Sequence, residues 1–471
     1  MLAVWQNRFE TIGRKMLNTL FRTGRSGVIN SAHDCSCAII TADGRLVSAV
    51  DSLLIHVMAG PDMMARSMRD LHRDLAPGDA FLHNCPYHGN SHPADLSILV
   101  PVFDEEGRHR FTVLSKAHQA DIGAAMPTTY SVEARDVYEE GALLFPAVRV
   151  QRDYRDLADI IRMCRMRIRV PDQWHADYLS LIGSARIGER ELKTLAAIGG
   201  WDLLDDFVES WFDHSEGVMA DALTRLPRGT ATGRSDHDPF PGIPEGLRVG
   251  STVTTVPDEG RISVDLRDNP DCLANGLNLS EACSRTAALI GVFNGLGRDM
   301  PANAGSFRRV DIRLREGCCV GIPRHPHSCS VATTNVSDRV INATQRAFAE
   351  LGDGLGMAEA GAVIPPAGGV ISGTDPGTGK PFINKVLLGL TAGQAGPVAD
   401  GWLTAMHAGS SGMCRHDSVE IDEMKYPIRV HRRELLADSE GAGRQCGAPS
   451  ALVEFGPVDC RFDIMYAADG R

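Results

Sequence analysis

The sequence predicts a mixed α and β (α+β) protein of several lobes, on three observations. Hairpin patterns fill the first third, helical periodicity runs through residues 152–225, and glycine-rich segments with short strand-forming runs occupy the rest. At 471 residues the chain is too long for one ordinary core, since about 150 residues per domain is the usual scale. The expected division is an α+β region over 1–150, a helical lobe over 151–227 and a C-terminal α+β region over 228–471.

Trp5, Phe9, Ile12, Met16 and Leu20 recur at helical spacing, so residues 2–21 form an amphipathic helix. In residues 31–50 two β-rich runs flank Asp43-Gly44, a hairpin signal. A helix over about 61–75 follows, and Pro77-Gly78-Asp79 turns the chain into a strand at 80–84. Residues 85–93 are loop, because Pro86, Gly89, Asn90 and Pro93 disfavour regular pairing. Residues 96–103 form a nearly continuous apolar strand, 105–107 its turn and 110–115 the return strand. From 123 to 146 the chain is irregular, as in a long functional loop or lid. In the helical block Pro171 ends an Arg-rich amphipathic helix, 162–169, whose basic face suits an interdomain or subunit contact. Residues 247–266 form a hairpin around Pro257-Asp258-Glu259-Gly260, 280–296 and 338–351 are helices, and 385–390 and 451–455 are short strands.

A net charge of -12 argues against a nucleic-acid-binding surface, which needs a basic patch to neutralise phosphates. No apolar run reaches the roughly 18 residues that span a bilayer, and the N-terminus lacks the apolar core of a secretory signal. A cytoplasmic protein without a membrane partner is expected. The 12 cysteines include no C-x-x-C pair, so they are expected to be buried thiols.

The chemistry points to residues 81–123, which hold His83, His88, His92, His109 and His118, five of the 16 histidines. His92 and Asp95 form one H-x-x-D pair; His118 and Asp121 form a second. The intervening hairpin can bring the two pairs together, and imidazole with carboxylate is the donor set of a divalent ion such as Zn, Mn or Fe. Asp34 or His56 would complete it, although a short polar side chain placed like Asp34, just before its strand, more often caps the turn. The alternatives are a polar loop cluster with no ion, or Cys85 as a nucleophile. A phosphate loop is absent, since around Gly379-Lys380 the spacing is wrong and Pro381 replaces the hydroxyl residue. No G-x-S-x-G serine elbow occurs either; residues 409–412 have the wrong spacing. If ATP is used, a partner subunit binds it.

Asn84-Cys85-Pro86-Tyr87-His88-Gly89-Asn90-Ser91-His92-Pro93-Ala94-Asp95 resembles the N-D-P-Y-x-G-G-T-H-x-x-D motif of the hydantoinase B and oxoprolinase family. Lys116-Ala117-His118-Gln119-Ala120-Asp121-Ile122-Gly123 resembles that family's R-x-H-x-A-D-I-G-G. His33-Asp34-Cys35-Ser36-Cys37-Ala38, Tyr138-Glu139-Glu140-Gly141, Asn335-Val336 and Glu440-Gly441-Ala442-Gly443-Arg444 match further family segments, so the likeness covers most of the chain.

The resemblance implies a B-type subunit acting with a hydantoinase A-type ATPase partner in a hetero-oligomer. The partner phosphorylates a small-molecule cyclic amide (hydantoin, lactam or oxoproline), and this subunit completes a metal-assisted ring opening by water. Related complexes instead carboxylate a ketone; a third possibility is a non-catalytic scaffold for the ATPase. The resemblance carries the metal-ligand role to Asp34, His92, Asp95 and His118, and proposes Asp121 and His88 for proton transfer or for orienting a ligand. A bound divalent ion eases deprotonation of its water, from a pKa of 15.7 towards about 7. Cys85, Gln119 and Ala124 depart from the family pattern, which bears on substrate more than fold. Because the chain stops soon after the glycine-rich segment, a missing C-terminal tail is an expectation too.

Overall fold

The computed structural model describes residues 2–296, 300–360, 364–389, 391–404, 408–410 and 412–470. Seven strands form the first sheet: β1 (Cys35–Thr41), β2 (Leu46–Ser48), β3 (Ala80–His83), β4 (Asp95–Phe103), β5 (His109–His118), β6 (Val148–Arg152) and β7 (Arg155–Asp156). Their order is β2-β1-β5-β4-β3-β6-β7, antiparallel throughout. All nine residues of β4 are buried because both faces of the sheet are covered. Leu96, Ile98, Val100 and Val102 face a layer made by the helices Leu2–Thr23, Pro171–Gly199 and Trp201–Thr224. Leu99 faces the other way, with Phe81 and Leu114, onto Met64, Ala65 and Met68 of the helix Pro61–Leu71. The helices of the 151–227 segment thus share one apolar core with the first sheet. No helix among the described residues is long and apolar enough to cross a membrane.

The second sheet contains β8 (Gly229–His237), β9 (Leu247–Val256), β10 (Arg261–Asp265) and β11 (Val310–Arg313), in the order β11-β10-β9-β8. The helices Glu281–Leu296 and Asn335–Leu351 pack with it in a second core. Beyond it come β12 (Val370–Thr374), β13 (Pro381–Lys385), β14 (Thr391–Ala392), β15 (Leu403–Thr404), β16 (Ile428–Leu435), β17 (Ala451–Pro457) and β18 (Phe462–Met465). They form a three-stranded sheet, β13-β12-β18, and the pairs β14-β15 and β16-β17.

Several boundaries differ from the sequence reading, three of them in ways that matter below. The helix expected to reach residue 75 stops at Leu71, where His72 turns extended and its Nε2 meets the Ala147 carbonyl at 2.7 Å. The strand expected at 385–390 lies at Pro381–Lys385, and Leu390 is outside the described residues. Residues 386–388 leave the ladder because their N–H groups bond to Gly369, to the Asp417 carboxylate and to Ala367. Asp95 and His118, expected just outside their strands, are instead the first residue of β4 and the last of β5.

Asp417 is buried and faces buried Asp422 of the helix Val419–Lys425. Asp417 Oδ1 and Asp422 Oδ2 have no other hydrogen-bond partner, so two carboxyl groups share one proton here. Burial pushes both up, Asp417 to about 6 and Asp422, with Asp417 adding repulsion, to about 8. In the unfolded chain both titrate near 3.9. The shared proton's contribution is therefore complete below about pH 4 and is lost as pH climbs through the folded values. Asp422→Asn keeps a donor without a proton to lose. It is expected to raise the melting temperature by a few degrees at pH 8.5, with the gain shrinking towards pH 5 in thermal scans.

Candidate metal centre

Strands β1, β5 and β4 end together at one edge of the first sheet. Asp95 lies directly across from His118, and the His118 N–H donates to the Asp34 carbonyl at 3.0 Å. This puts Asp34, His118 and Asp95 in a row. The loop before β4 delivers His92 to the same place. Gly89, at φ 99°, lets that loop turn against Met63, which a Cβ would approach to 2.4 Å. Asn90 Nδ2 then bonds to the carbonyls of His92 and Asp95 and fixes their spacing.

His92, Asp95 and His118 converge with one ligand atom each, all within 4.8 Å of one another, and all three are buried. Asp95 Oδ1 is 3.0 Å from His92 Nε2 and 3.1 Å from His118 Nδ1. The spacing is of the order taken by donors lying about 2.1 Å from one ion. His92 Nδ1 donates to the Ser330 carbonyl at 2.7 Å. A neutral His92 therefore turns its Nε2 lone pair onto a carboxylate oxygen, an acceptor–acceptor contact that needs a proton or a cation between the atoms. The donor set fits a divalent ion on that ground.

A further set of contacts holds these donors. Asp95 Oδ2 receives the Ser91 hydroxyl and lies 3.1 Å from His56 Nε2, while His56 Nδ1 meets Ser36 Oγ at 3.1 Å. His118 Nε2 meets Thr129 Oγ1 at 3.0 Å. Burial alone would raise the Asp95 carboxyl, but His56, His92 and His118 outweigh it and hold it well below the usual range. Burial and then the Lys385 charge press His118 down to about 4, so its ring is neutral and able to act as a ligand. For His92 burial would lower it, but the Asp95 charge and the hydrogen bonds to Asp95 and the Ser330 carbonyl together raise it. Burial also presses Lys116 down to about 8; its Nζ donates to the His56 carbonyl at 3.1 Å.

A profile of the hydantoinase B/oxoprolinase family matches residues 1–471. The chain belongs to that family. Caprolactamase subunit beta of Pseudomonas jessenii is 26% identical over 474 residues, covering 100% of this chain and 80% of that one. A 5-oxoprolinase of Pestalotiopsis fici is 26% identical over 482 residues, 99% of this chain but 36% of that longer protein. The crystal structure of the ATP-dependent caprolactamase from Pseudomonas jessenii superposes with a TM-score of 0.85 at 25% identity, over 97% of this chain and 78% of that one. A nucleotide-free acetone carboxylase structure reaches 0.87 at 15% identity, over 100% and 63%, a likeness of fold.

The hydantoinase B/oxoprolinase motifs thus bring His92, Asp95 and His118 together. Asp34 is adjacent, but its Oδ2 is 2.6 Å from Lys385 Nζ; burial would raise its carboxyl, and the charges of Lys385, His118 and His56 together hold it down to about 2. Asp121 faces away from the cluster. Its carboxylate accepts from the backbone N–H of Arg169 at 2.6 Å, from Arg169 Nη1 at 3.2 Å and from the N–H of Gly123 at 3.0 Å. His88 is exposed, with Nδ1 3.1 Å from Cys85 Sγ, and lines a groove with Met63, Arg66 and Asp70. Burial pushes the Cys85 thiol up to about 11, which disfavours a thiolate nucleophile. Nine of the 12 cysteines are buried and all are free thiols. The motifs left out Lys385, Thr129 and Ser330, which come from distant or irregular segments; His56 figured only as an alternative to Asp34. Thr129→Val removes the partner of His118 Nε2 and is expected to weaken binding of Zn²⁺ or Mn²⁺ about tenfold in calorimetric titration.

Proposed function

We propose that this chain is the B-type subunit of an ATP-dependent hydrolase that opens a cyclic amide. The observation that carries the reading is the buried His92, Asp95 and His118 donor set in a chain alignable over its whole length with caprolactamase subunit beta. A hydantoinase A-type partner would bind ATP, consistent with the lack of a phosphate loop in this sequence. An unactivated lactam resists water because its nitrogen feeds the carbonyl. Phosphorylation of the amide oxygen ends that resistance.

In this reading His92, Asp95 and His118 hold a divalent ion, Zn, Mn or Fe, which supplies Lewis acidity and eases deprotonation of a water. The chain's other residues prepare the donors. Ser330 fixes the tautomer of His92, Thr129 orients His118, and His56 with Ser91 aims the Asp95 carboxylate. Burial at the sheet edge keeps bulk water out, so charge developing on the opening ring meets fixed dipoles. Asp121 and His88, proposed for proton transfer, stand apart from this cluster; any role they have runs through Arg169 and Cys85.

The test is reconstitution with an A-type ATPase subunit and ATP on caprolactam, 5-oxoproline and hydantoin. The expected result is an ATP-dependent ring-opened amino acid, formed equally with and without bicarbonate. Carboxylate formation from a ketone, only with bicarbonate, would replace hydrolysis by carboxylation. Full activity with both His92→Ala and His118→Ala would leave the chain a scaffold.

A further inference from the structure

Two hairpins outside both large sheets lock together through glycines. Strands β14 and β15 enclose a loop over 393–402, and β16 and β17 enclose a longer one over 436–450, which holds Glu440-Gly441-Ala442-Gly443-Arg444. The Gly401 N–H donates to the Cys446 carbonyl at 2.7 Å and the Ala448 N–H to the Gly393 carbonyl at 3.0 Å. A Cβ on Gly393 would overlap the Trp402 carbonyl oxygen, and one on Gly401 the Gly393 carbonyl oxygen, so only glycine permits this approach. What the interlocked loops present is open to solvent. Val398 is 84% and Trp402 81% exposed, Leu435 and Leu436 at the end of β16 are exposed, and so is every residue of 440–444. Arg444 has no hydrogen bond or ion pair among the described residues. The Arg-rich helix Ala158–Arg167, by contrast, engages Arg162, Arg165 and Arg167 within the chain, on Asp159, Asp172 and the Gly141 carbonyl.

We propose that the surface formed by Val398, Trp402, Leu435, Leu436 and Arg444 is where the A-type ATPase subunit docks, with an apolar patch over Trp402 and an acidic side chain on Arg444. The inference rests on the hetero-oligomer reading of the preceding subsection. Trp402 stands on a backbone too tightly interlocked to fold it inward, so only another molecule can take its ring out of water. Tryptophan and arginine are the side chains that most often dominate the energy of an interface, and an exposed apolar patch marks a contact. Arg444 lacks a counter-ion in this chain, and a carboxylate on the partner completes it. A second copy of this chain suits the surface less well, because two bodies of net charge -12 repel each other. The ribbon also leads towards the metal donors. Arg433 Nη1 of β16 donates to the Asp417 carbonyl at 3.1 Å, and the Asp417 carboxylate accepts at 2.6 Å from the N–H of Leu387, just past the end of β13. A partner seated on this ribbon has a short path along which to pass a phosphorylated ring to His92, Asp95 and His118.

The experiment measures binding of the full chain to the A-type subunit used for reconstitution, by biolayer interferometry, for the natural sequence, Trp402→Ala and Arg444→Glu. Thermal scans and Zn²⁺ titrations of the three proteins run beside it. Both side chains are exposed, so melting temperature and Zn²⁺ affinity are expected to stay as in the natural chain. Trp402→Ala is expected to weaken the complex about thirtyfold or more, the loss of a hot-spot side chain. Arg444→Glu is expected to weaken it about tenfold or more at low salt, with the difference shrinking at high salt. Both variants binding within about twofold of the natural chain would overturn the docking surface while sparing the hetero-oligomer reading. A natural chain that self-associates in sedimentation, and turns monomeric with Trp402→Ala, would assign the surface to a second copy and overturn the proposal. Failure of the natural chain to bind the A-type subunit at all would overturn the hetero-oligomer reading and the docking surface with it.

Discussion

His92→Ala is expected to weaken Zn²⁺ or Mn²⁺ binding by more than about a hundredfold, beyond the 10–100-fold that loss of an outer partner costs. His92 supplies one of three donors, and its Nε2 stands 3.0 Å from the carboxylate that the other histidine shares. Nothing nearby replaces it. Among the remaining imidazoles, His56 is behind Asp95 on its second oxygen, and His83 is outside the converging group. In the reconstituted complex the same variant should lose ring-opening activity while still binding the ATPase subunit. Metal affinity within about tenfold of the natural chain would remove His92 from the donor set.

Gly233→Ala is expected to cost roughly 3 kcal/mol or more, although Gly233 is remote in sequence from every proposed ligand. A Cβ at this position of β8 would lie 1.9 Å from the Ala343 carbonyl oxygen and 2.6 Å from the Ala347 nitrogen. Both are backbone atoms of the helix Asn335–Leu351, so neither can swing aside as a side chain could. The helix must move off the sheet, and it follows directly on the segment that carries Ser330, whose carbonyl fixes His92. The variant should melt several degrees below the natural chain and show weakened metal binding. An unchanged melting temperature would mean that β8 and the helix are not so closely apposed.

The two H-x-x-D pairs illustrate what the sequence could and could not reveal. His92 and Asp95 were legible because a three-residue spacing just before an apolar strand leaves both at its end. The hairpin then brings His118 across from Asp95 through ordinary antiparallel register. Asp121 has the same spacing from His118, but it lies three residues beyond β5, and the turn at Gly123 directs its carboxylate to Arg169. A spacing rule cannot distinguish the two cases, because the direction of a side chain beyond a strand end depends on tertiary contacts. Lys385 shows the larger gap. It meets Asp34 across 351 residues of chain, from a strand end whose sequence carries no motif. Hairpins and amphipathic helices were readable from local periodicity, whereas the sharing of one core by the first sheet and the 151–227 helices depends on long-range packing.

The most direct test is elemental analysis of the full chain purified without added metal, natural sequence beside Asp95→Ala. Asp95 bridges both histidines and has no substitute within the cluster. About one equivalent of Zn, Mn or Fe is expected in the natural protein and little in the variant. A natural protein that is metal-free and takes up none of these ions when they are added would rule out a metal centre at His92, Asp95 and His118.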